Sequence, residues 1–314
     1  MMSGLTEFAY SIVQHRLCLR VMMRACCIRH GCWLLRDGKE LLIRRKDRQI
    51  RISAEHLIYA QHTAKHFDDM FGLVRPTRVR DKWEADYSGP RLHVLSNGDP
   101  FELSSFPEEA EALDSYFLEF APKPGDTAFD VGAYCGVFTK ELSKRVGLQG
   151  RVIAFEPDPQ NFALLERNVK RHALGNVTLV PSAISDKSGK ARFNCEGALG
   201  SALSSSISRP TLSRVSTVET ITLEHACQEY GLPSFVKIDA EGSEIEILSA
   251  AKDLLKRCQI HFALDTNHVR NGELTTARVE RLFLETGYRA YSKPVSGYMT
   301  TWAAPESEWQ DKEW

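Results

Sequence analysis

The chain has 314 residues, of which 43% are hydrophobic and 26% charged, and its formal net charge is −1. This composition is ordinary for a globular protein of one or two domains, and the balanced charge gives no reason to expect a nucleic acid as partner. No uncharged apolar run of 18 residues occurs, so we expect no transmembrane segment, and Arg16, Arg20 and Arg24 interrupt any signal-peptide core. The eight cysteines form no C-x-x-C pair, which favours reduced thiols in a cytoplasmic protein.

Residues 1–105 are predicted to form an N-terminal extension of helices and short strands. Residues 40–52 alternate charged and apolar side chains and favour a strand. Ser53 is a typical N-cap for a helix that runs to about Phe71. Short strands are predicted near 92–95 and 101–103, and the many turn signals between residues 76 and 125 indicate a domain boundary, which we place after residue 105.

Residues 106–314 are predicted to form a second domain. A helix over 108–120 precedes a regular alternation of apolar runs, typical of strands, with helical patterns. Strands are predicted at 127–131, 151–155, 177–180, 191–193, 235–238, 260–264, 289–291 and 298–302. Helices are predicted to follow the first two strands, ending near residues 146 and 172, and to cover 223–230, 244–255 and 276–286. This alternation predicts an α/β fold with a doubly wound, mostly parallel sheet. Residues 197–217, rich in Ser and Leu without a period, are predicted to form a surface loop.

The strongest motif follows the first strand of this domain and reads Asp130-Val131-Gly132-Ala133-Tyr134-Cys135-Gly136. Ligands of open α/β sheets bind beyond the carboxyl ends of strands, and the two glycines allow a tight turn close to a ligand. An acid at the strand end suits a positively charged amino group and would repel the phosphates of a dinucleotide. A purely structural turn is the alternative. We interpret Asp130, Gly132, Ala133, Tyr134 and Gly136 as cofactor contacts.

The next two strands end in residues that suit a nucleoside. The second ends in Phe155-Glu156-Pro157-Asp158-Pro159, where the Glu156 carboxylate can accept hydrogen bonds from both ribose hydroxyls and Asp158 can cap the following helix. After the third strand, Ser182 and Ala183 are small enough to leave room for an adenine ring. We therefore add Glu156, Pro157, Ser182 and Ala183 to the predicted cofactor contacts.

Charged residues crowd the ends of two later strands. One carries Lys237-Ile238-Asp239-Ala240-Glu241-Gly242-Ser243-Glu244, and the other carries Asp265-Thr266-Asn267-His268. We predict that Asp239, Glu241 and His268 are catalytic, with His268 as general base, and that Asp239 also contacts the cofactor. A divalent metal held by Asp239, Asp265 and Asn267 is the alternative that is not favoured.

Together these blocks resemble the FkbM family of methyltransferases over about residues 122–290. The resemblance implies a Rossmann-like class I methyltransferase sheet of seven strands, S-adenosyl-L-methionine as cofactor, and a hydroxyl group of a natural product, small molecule or sugar as methyl acceptor. The motifs that carry it begin at Asp130, Phe155, Ser185 and Lys237, and the last, Lys-Ile-Asp-Ala-Glu-Gly-Ser-Glu, is the most distinctive. Tyr134 departs from the family, which usually has Asn there.

Other functions remain open at this point. A non-catalytic S-adenosylmethionine-binding module would share the same motifs. A nicotinamide-dependent oxidoreductase would share the ribose acid but lacks the expected glycine spacing, and a base-amine methyltransferase would need an N-P-P-Y or D-P-P-Y motif, which is absent. Fold and cofactor site do not identify the acceptor, and a homo-oligomer is compatible with the sequence.

Overall fold

The computed structural model describes residues 16–108, 110–195, 200–203, 214–270, 272–295 and 298–309. The described residues group into two compact units, one that ends at Pro107 and one that begins at Glu108. The division of the protein into domains after residue 105 stays a prediction. None of the helices in the described ranges is both long and apolar enough to cross a membrane.

The first unit contains a five-stranded sheet of order β1-β2-β3-β5-β4, in which only β3 and β5 run parallel, and a separate hairpin of β6 and β7. Its elements are α1 (Arg16–Arg29), β1 (Trp33–Asp37), β2 (Glu40–Arg45), β3 (Arg48–Ser53), a 3₁₀ helix (Ala54–Tyr59), α2 (Ala60–Lys65), α3 (Phe67–Gly72), β4 (Thr77–Val79), β5 (Lys82–Tyr87), β6 (Arg91–Val94) and β7 (Pro100–Leu103).

Two predictions for this unit need correction. The strand predicted over residues 40–52 is a hairpin, because Lys46 has a φ of 53° and reverses the chain. Ser53 caps the next segment as predicted, since its Oγ accepts a hydrogen bond from the Glu55 N–H at 3.2 Å. The long helix that it was expected to begin is divided into three short ones, with a break at His66, whose φ of −105° and ψ of 36° are not helical.

The second unit carries the motifs. Its elements are α4 (Ala110–Ser115), β8 (Thr127–Val131), α5 (Val137–Val146), β9 (Arg151–Phe155), α6 (Pro159–Arg171), β10 (Val177–Val180), β11 (Ser182–Ser185), β12 (Gly189–Cys195), β13 (Ala202–Leu203), β14 (Arg214–Thr222), α7 (Leu223–Tyr230), β15 (Phe235–Ile238), α8 (Glu244–Ala250), α9 (Lys252–Leu255), β16 (His261–Asp265), β17 (Val269–Arg270), β18 (Glu273–Leu274), α10 (Thr276–Leu284), β19 (Tyr288–Val295), β20 (Tyr298–Pro305) and a 3₁₀ helix (Glu306–Trp309).

Seven strands form the central sheet in the order β10-β9-β8-β15-β16-β20-β19. The first five are parallel, and β20 runs antiparallel between β16 and β19. This confirms the doubly wound, mostly parallel seven-stranded sheet. The chain order reverses between β8 and β15, so their carboxyl ends form the crevice where such sheets bind ligands.

The core lies on the sheet. Phe129, Ile153, Val236 and Phe262, from four neighbouring parallel strands, are at most 2% exposed. Helices cover both faces of parallel sheets, which explains why these strands read as continuous apolar runs. Burial of each such side chain contributes about 1.5–3 kcal/mol, and the resulting rigid sheet fixes where the strand ends point.

Three predictions for the second unit differ from the structure. The helix predicted over 108–120 is shorter, and the helix predicted over 244–255 breaks at Ala251, whose ψ is 4°. The loop predicted over 197–217 contains β13 and the first residues of β14, two strands of a four-stranded sheet of order β11-β14-β12-β13. Residues 197–199 and 204–213 of this segment lie outside the described residues. The strand β14 was not predicted because its sequence is rich in Ser and Thr and only one of its two faces is buried.

Candidate active site

A pocket opens at the carboxyl ends of β8, β9 and β15, with an empty volume of about 610 Å³ that includes the part open to solvent. This size is typical of sites for cofactors and small ligands. Of the twelve predicted site residues, eight line the pocket: Gly132, Tyr134, Glu156, Pro157, Ser182, Ala183, Asp239 and Glu241. Four do not line it: Asp130, Ala133, Gly136 and His268.

The loop after β8 is held against both neighbouring strands. The backbone N–H groups of Gly132 and Ala133 both donate to the Phe155 carbonyl at 3.0 Å. Gly132 has a φ of 79°, and a Cβ atom there would lie 1.9 Å from the Asp239 carbonyl oxygen. Only glycine fits between these strands, which explains the first glycine of the motif. The second, Gly136, has a φ of 88°, and a Cβ atom there would lie 2.5 Å from Leu165.

Tyr134 adopts the left-handed backbone conformation, with a φ of 50°. Asn tolerates this conformation best among non-glycine residues, whereas an ordinary L-residue is disfavoured by about 1–2 kcal/mol. The contact that this position makes with the next strand comes from its backbone, because the Tyr134 N–H donates to Glu156 Oε2 at 2.8 Å. The departure from the family's Asn therefore preserves the main-chain contact of the loop.

Glu156 lies in the pocket wall after β9 and is only 4% exposed. Its second oxygen, Oε1, accepts from the Asp158 N–H at 2.8 Å. Burial raises the pKa of the Glu156 carboxyl to about 8, and the neighbouring Asp158 adds to the shift. Asp158 caps α6 as predicted, accepting from the Gln160 N–H at 2.9 Å. When Glu156 is ionised, each of its oxygens keeps a second lone pair, and hydrogen bonds from ligand hydroxyls would favour that ionised form.

Asp130 lies beneath the loop, not in the pocket wall. It is fully buried, and its Oδ2 accepts from the Thr139 hydroxyl at 2.6 Å. Its Oδ1 lies 3.4 Å from Lys237 Nζ, which also donates to the Gly132 carbonyl at 2.8 Å. The predicted contact between Asp130 and a ligand amino group therefore does not fit this geometry. Asp130 and Lys237 instead support the glycine loop from below.

Lys237, which contacts Asp130 and the glycine loop, was not among the predicted site residues. It is fully buried in the middle of β15. Burial alone would lower the pKa of its ammonium group, but Asp130, Asp239 and Glu108 raise it, so Lys237 remains charged. The available signal was a lysine between Val236 and Ile238 in a strand of four residues, since such a residue must be paired when it is buried.

His268 lies among carboxylates beside the pocket. Its Nδ1 is 3.2 Å from Glu244 Oε1, and its Nε2 is 3.7 Å from Glu241 Oε2 and 3.9 Å from Asp239 Oδ1. Burial alone would lower the pKa of His268, but Glu244 and Asp265 outweigh it and hold this pKa well above its usual range. An imidazolium cannot accept a further proton, so this environment does not favour the predicted role of general base.

Two of the three residues named for a metal, Asp239 and Asp265, lie close together, with His268 rather than Asn267 beside them. Asp239, Asp265 and His268 each have one potential ligand atom within 4.8 Å of those of the other two. Burial raises the pKa of Asp265 to about 6, and its Oδ1 accepts from the Asn267 N–H at 2.8 Å. A protonated imidazole has no lone pair for a metal ion, so these residues fit a cation poorly while His268 carries its proton.

The raised pKa of His268 predicts a pH-dependent stability. Because the folded-state pKa lies above the unfolded value of about 6.5, the ion pairs stabilise fully below that pH and weaken as pH rises through the folded-state pKa. We expect His268→Asn to lower the melting temperature most near pH 6 and progressively less in alkaline buffer. The control is His225→Asn, at an exposed histidine in α7. A difference in melting temperature between the wild type and His268→Asn that does not change with pH would contradict a protonated His268.

Known proteins share parts of this chain. The Methyltransferase FkbM domain matches residues 130–290, just over half of the chain. An FkbM methyltransferase from Methylobacillus flagellatus KT has a similar structure at 15% identity, with 60% of this chain and 45% of that one covered and a TM-score of 0.43. The precorrin-6y C5,15-methyltransferase from Geobacter metallireducens GS-15 is 15% identical, with 63% of this chain and 88% of that one covered and a TM-score of 0.43.

A curated relative is the catalytic subunit TRM61 of a tRNA (adenine(58)-N(1))-methyltransferase from Yarrowia lipolytica. It is 26% identical over 120 residues, which cover 35% of this chain and 31% of the relative. This chain thus spans about a third of that relative and less than half of the Methylobacillus protein. The FkbM match extends from the glycine loop to β19 and includes all the strand ends that form the pocket. By this match, the chain belongs to the FkbM methyltransferase family.

Proposed function

We propose that this protein transfers the methyl group of S-adenosylmethionine to a hydroxyl group of a small molecule, natural product or sugar. The observation that carries the proposal is one pocket in which Glu156, at the end of β9, and Asp239, at the end of β15, line opposite sides of the glycine loop. The first suits a ribose and the second suits a reacting hydroxyl group. Family membership supports the transfer of a methyl group.

The chain's own residues fit the adenosine part of this cofactor. Glu156 would accept hydrogen bonds from the ribose hydroxyls through its free lone pairs. Ser182 and Ala183 line the pocket near it and are small enough to leave space for a flat adenine ring. Gly132, Tyr134 and Pro157 would complete the wall. The buried Oε2 of Glu108, which has no hydrogen-bond partner among the described residues, also fits a ligand that brings its own donor.

The cofactor supplies a methyl group that is already activated by its positive sulfur. The remaining tasks are to orient the acceptor oxygen in line with that methyl group and to take its proton. Asp239 is our candidate for the proton acceptor, and the Tyr116 hydroxyl orients it by donating to Oδ2 at 3.4 Å. Glu241 lines the pocket beside it, and the charged His268 balances both carboxylates. The base role proposed for His268 from the sequence thus passes to Asp239.

Two alternatives, a nucleic-acid acceptor and a module without catalysis, define the other outcomes of the test. The Yarrowia relative is a tRNA methyltransferase by name, although this chain matches only a third of it. A non-catalytic module would bind the cofactor without transfer. The chain's net charge of −1 supports an acceptor other than nucleic acid. A cytoplasmic location is also part of the proposal, supported by eight free cysteines, and a homo-oligomer remains compatible with it.

The test is transfer of an isotope-labelled methyl group. The full chain is incubated with labelled S-adenosylmethionine in three separate reactions, which contain a metabolite extract, free glycans or bulk tRNA. We expect mass spectrometry to find the label as a methyl ether in the metabolite or glycan fraction. Label in tRNA would contradict the acceptor class. Cofactor binding without label in any fraction would favour the non-catalytic module.

Asp239→Asn is expected to lower turnover at least about tenfold, because a positioned base contributes about 10²–10⁴-fold and an amide cannot take the proton. Activity of the wild type is expected to survive EDTA. The measurement is kcat of wild type and variant with the acceptor found by isotope labelling. The control variant is Glu166→Gln, on the exposed face of α6. Loss of activity in EDTA with recovery in magnesium or manganese would instead support metal assistance through Asp239 and Asp265.

A further inference from the structure

The pocket wall contains a carboxyl group that the sequence motifs do not include. Glu108 lines the pocket, and its Oε2 atom is buried without a hydrogen-bond partner in the described part of the chain. The carboxyl group also accepts a hydrogen bond from the Phe138 backbone, in the first turn of α5. A buried carboxyl oxygen without a donor is unfavourable, so this atom marks a place where a ligand can supply one.

The surrounding charges favour a cationic donor. Burial, opposed by Lys237 and assisted by the nearby Asp130 and Asp239, raises the pKa of Glu108 to about 8. Lys237 is already engaged by Asp130 and by the Gly132 carbonyl. A positively charged ligand group beside Glu108 would offset the repulsion from Asp130 and Asp239 and favour the ionised carboxylate.

The position of Glu108 selects one end of the cofactor. Its charged neighbours are Asp130 on β8, Lys237 on β15 and Asp239 just after β15. Glu156 follows β9, which lies on the opposite side of β8 from β15. A ligand whose ribose is held at Glu156 would extend its amino-acid end across the loop toward Glu108. The strongest donor at that end is the α-ammonium group.

We propose that Glu108 binds the α-ammonium group of S-adenosylmethionine, the task that the sequence pattern assigned to Asp130. The inference rests on the proposed function only in the choice of cofactor. Asp130 does not line the pocket, its Oδ2 accepts from Thr139 and its Oδ1 lies 3.4 Å from Lys237 Nζ. Glu108 lines the pocket and has an oxygen without a hydrogen-bond partner among the described residues. Glu108 precedes the residues that match the family, 130–290, so this contact is a feature of the segment before the family domain.

The test compares two ligands on Glu108→Gln. S-adenosylhomocysteine carries the α-ammonium group, whereas 5′-methylthioadenosine keeps the adenosine part and lacks the amino acid. We expect calorimetry to show at least about a tenfold loss of S-adenosylhomocysteine affinity and an unchanged affinity for methylthioadenosine, because a charge-assisted hydrogen bond is lost only with the first. Glu166→Gln is the matched control, and thermal unfolding verifies that both variants fold.

The outcomes separate this inference from the function on which it rests. Unchanged S-adenosylhomocysteine affinity in Glu108→Gln, or an equal loss for both ligands, would overturn the role of Glu108 while leaving the cofactor assignment intact. Binding of neither ligand to the wild type would overturn the proposed function, and the role of Glu108 with it. Selective loss of S-adenosylhomocysteine supports both.

Discussion

Lys237→Met is expected to destabilise the second unit by about 3–5 kcal/mol, because it leaves the fully buried Asp130 carboxylate without its positive partner. The Gly132 carbonyl would lose its 2.8 Å hydrogen bond in the same step. Methionine has a similar length and apolar character, so the loss of charge, rather than a cavity, dominates the effect. Urea unfolding of wild type and variant measures the change.

A double variant distinguishes this explanation from general disruption of the core. Asp130→Asn removes the uncompensated charge, so Asp130→Asn/Lys237→Met should be more stable than Lys237→Met alone. Lys170→Met, at an exposed lysine of α6, is the matched control and should stay within about 0.5 kcal/mol of the wild type. A loss of less than about 1 kcal/mol in Lys237→Met would mean that this ion pair does not support the loop.

Glu156→Ala is expected to weaken S-adenosylhomocysteine binding by about 1.5–3 kcal/mol, which corresponds to a loss of roughly 10- to 150-fold. The reason is that its carboxylate would accept both ribose hydroxyls, and that the same oxygens hold the backbone N–H groups of Tyr134 and Asp158. Isothermal calorimetry with each variant gives the affinities.

The loss has two sources, which a second substitution separates. Glu156→Gln keeps one oxygen acceptor, so it should retain more affinity than Glu156→Ala. Glu166→Ala, at an exposed position of α6, controls for loss of a negative charge in the same region. Wild-type affinity in Glu156→Ala would remove Glu156 from the ribose site.

Local patterns predicted the sheet and most of the pocket. The apolar runs at β8, β9, β15 and β16 identified strands because parallel strands are buried on both faces. The acids and glycines that follow those runs then had to meet at one edge of the sheet. For this reason Gly132, Glu156 and Asp239, which are distant in sequence, could be assigned to one site before any contact was known.

The remaining features depend on tertiary contacts. Asp130 shares its strand end with the glycine loop, yet sequence spacing does not reveal that Lys237 on β15 pairs with it below the pocket. His268 looked like a base because an unperturbed imidazole titrates near neutrality. Its pKa depends on Asp265, three residues before it, and above all on Glu244, which only the fold brings close. Glu108 carries no motif, and only the structure shows its orphaned oxygen in the pocket wall.

Titration of the wild-type chain with S-adenosylhomocysteine and, in parallel, with NAD tests the central claim most directly. Both ligands contain an adenosine whose ribose Glu156 could hold, but only NAD carries a pyrophosphate, which the acids around the glycine loop would repel. We expect saturable binding of one S-adenosylhomocysteine per chain and no measurable binding of NAD. Binding of NAD, or a pocket to which S-adenosylhomocysteine does not bind, would contradict it.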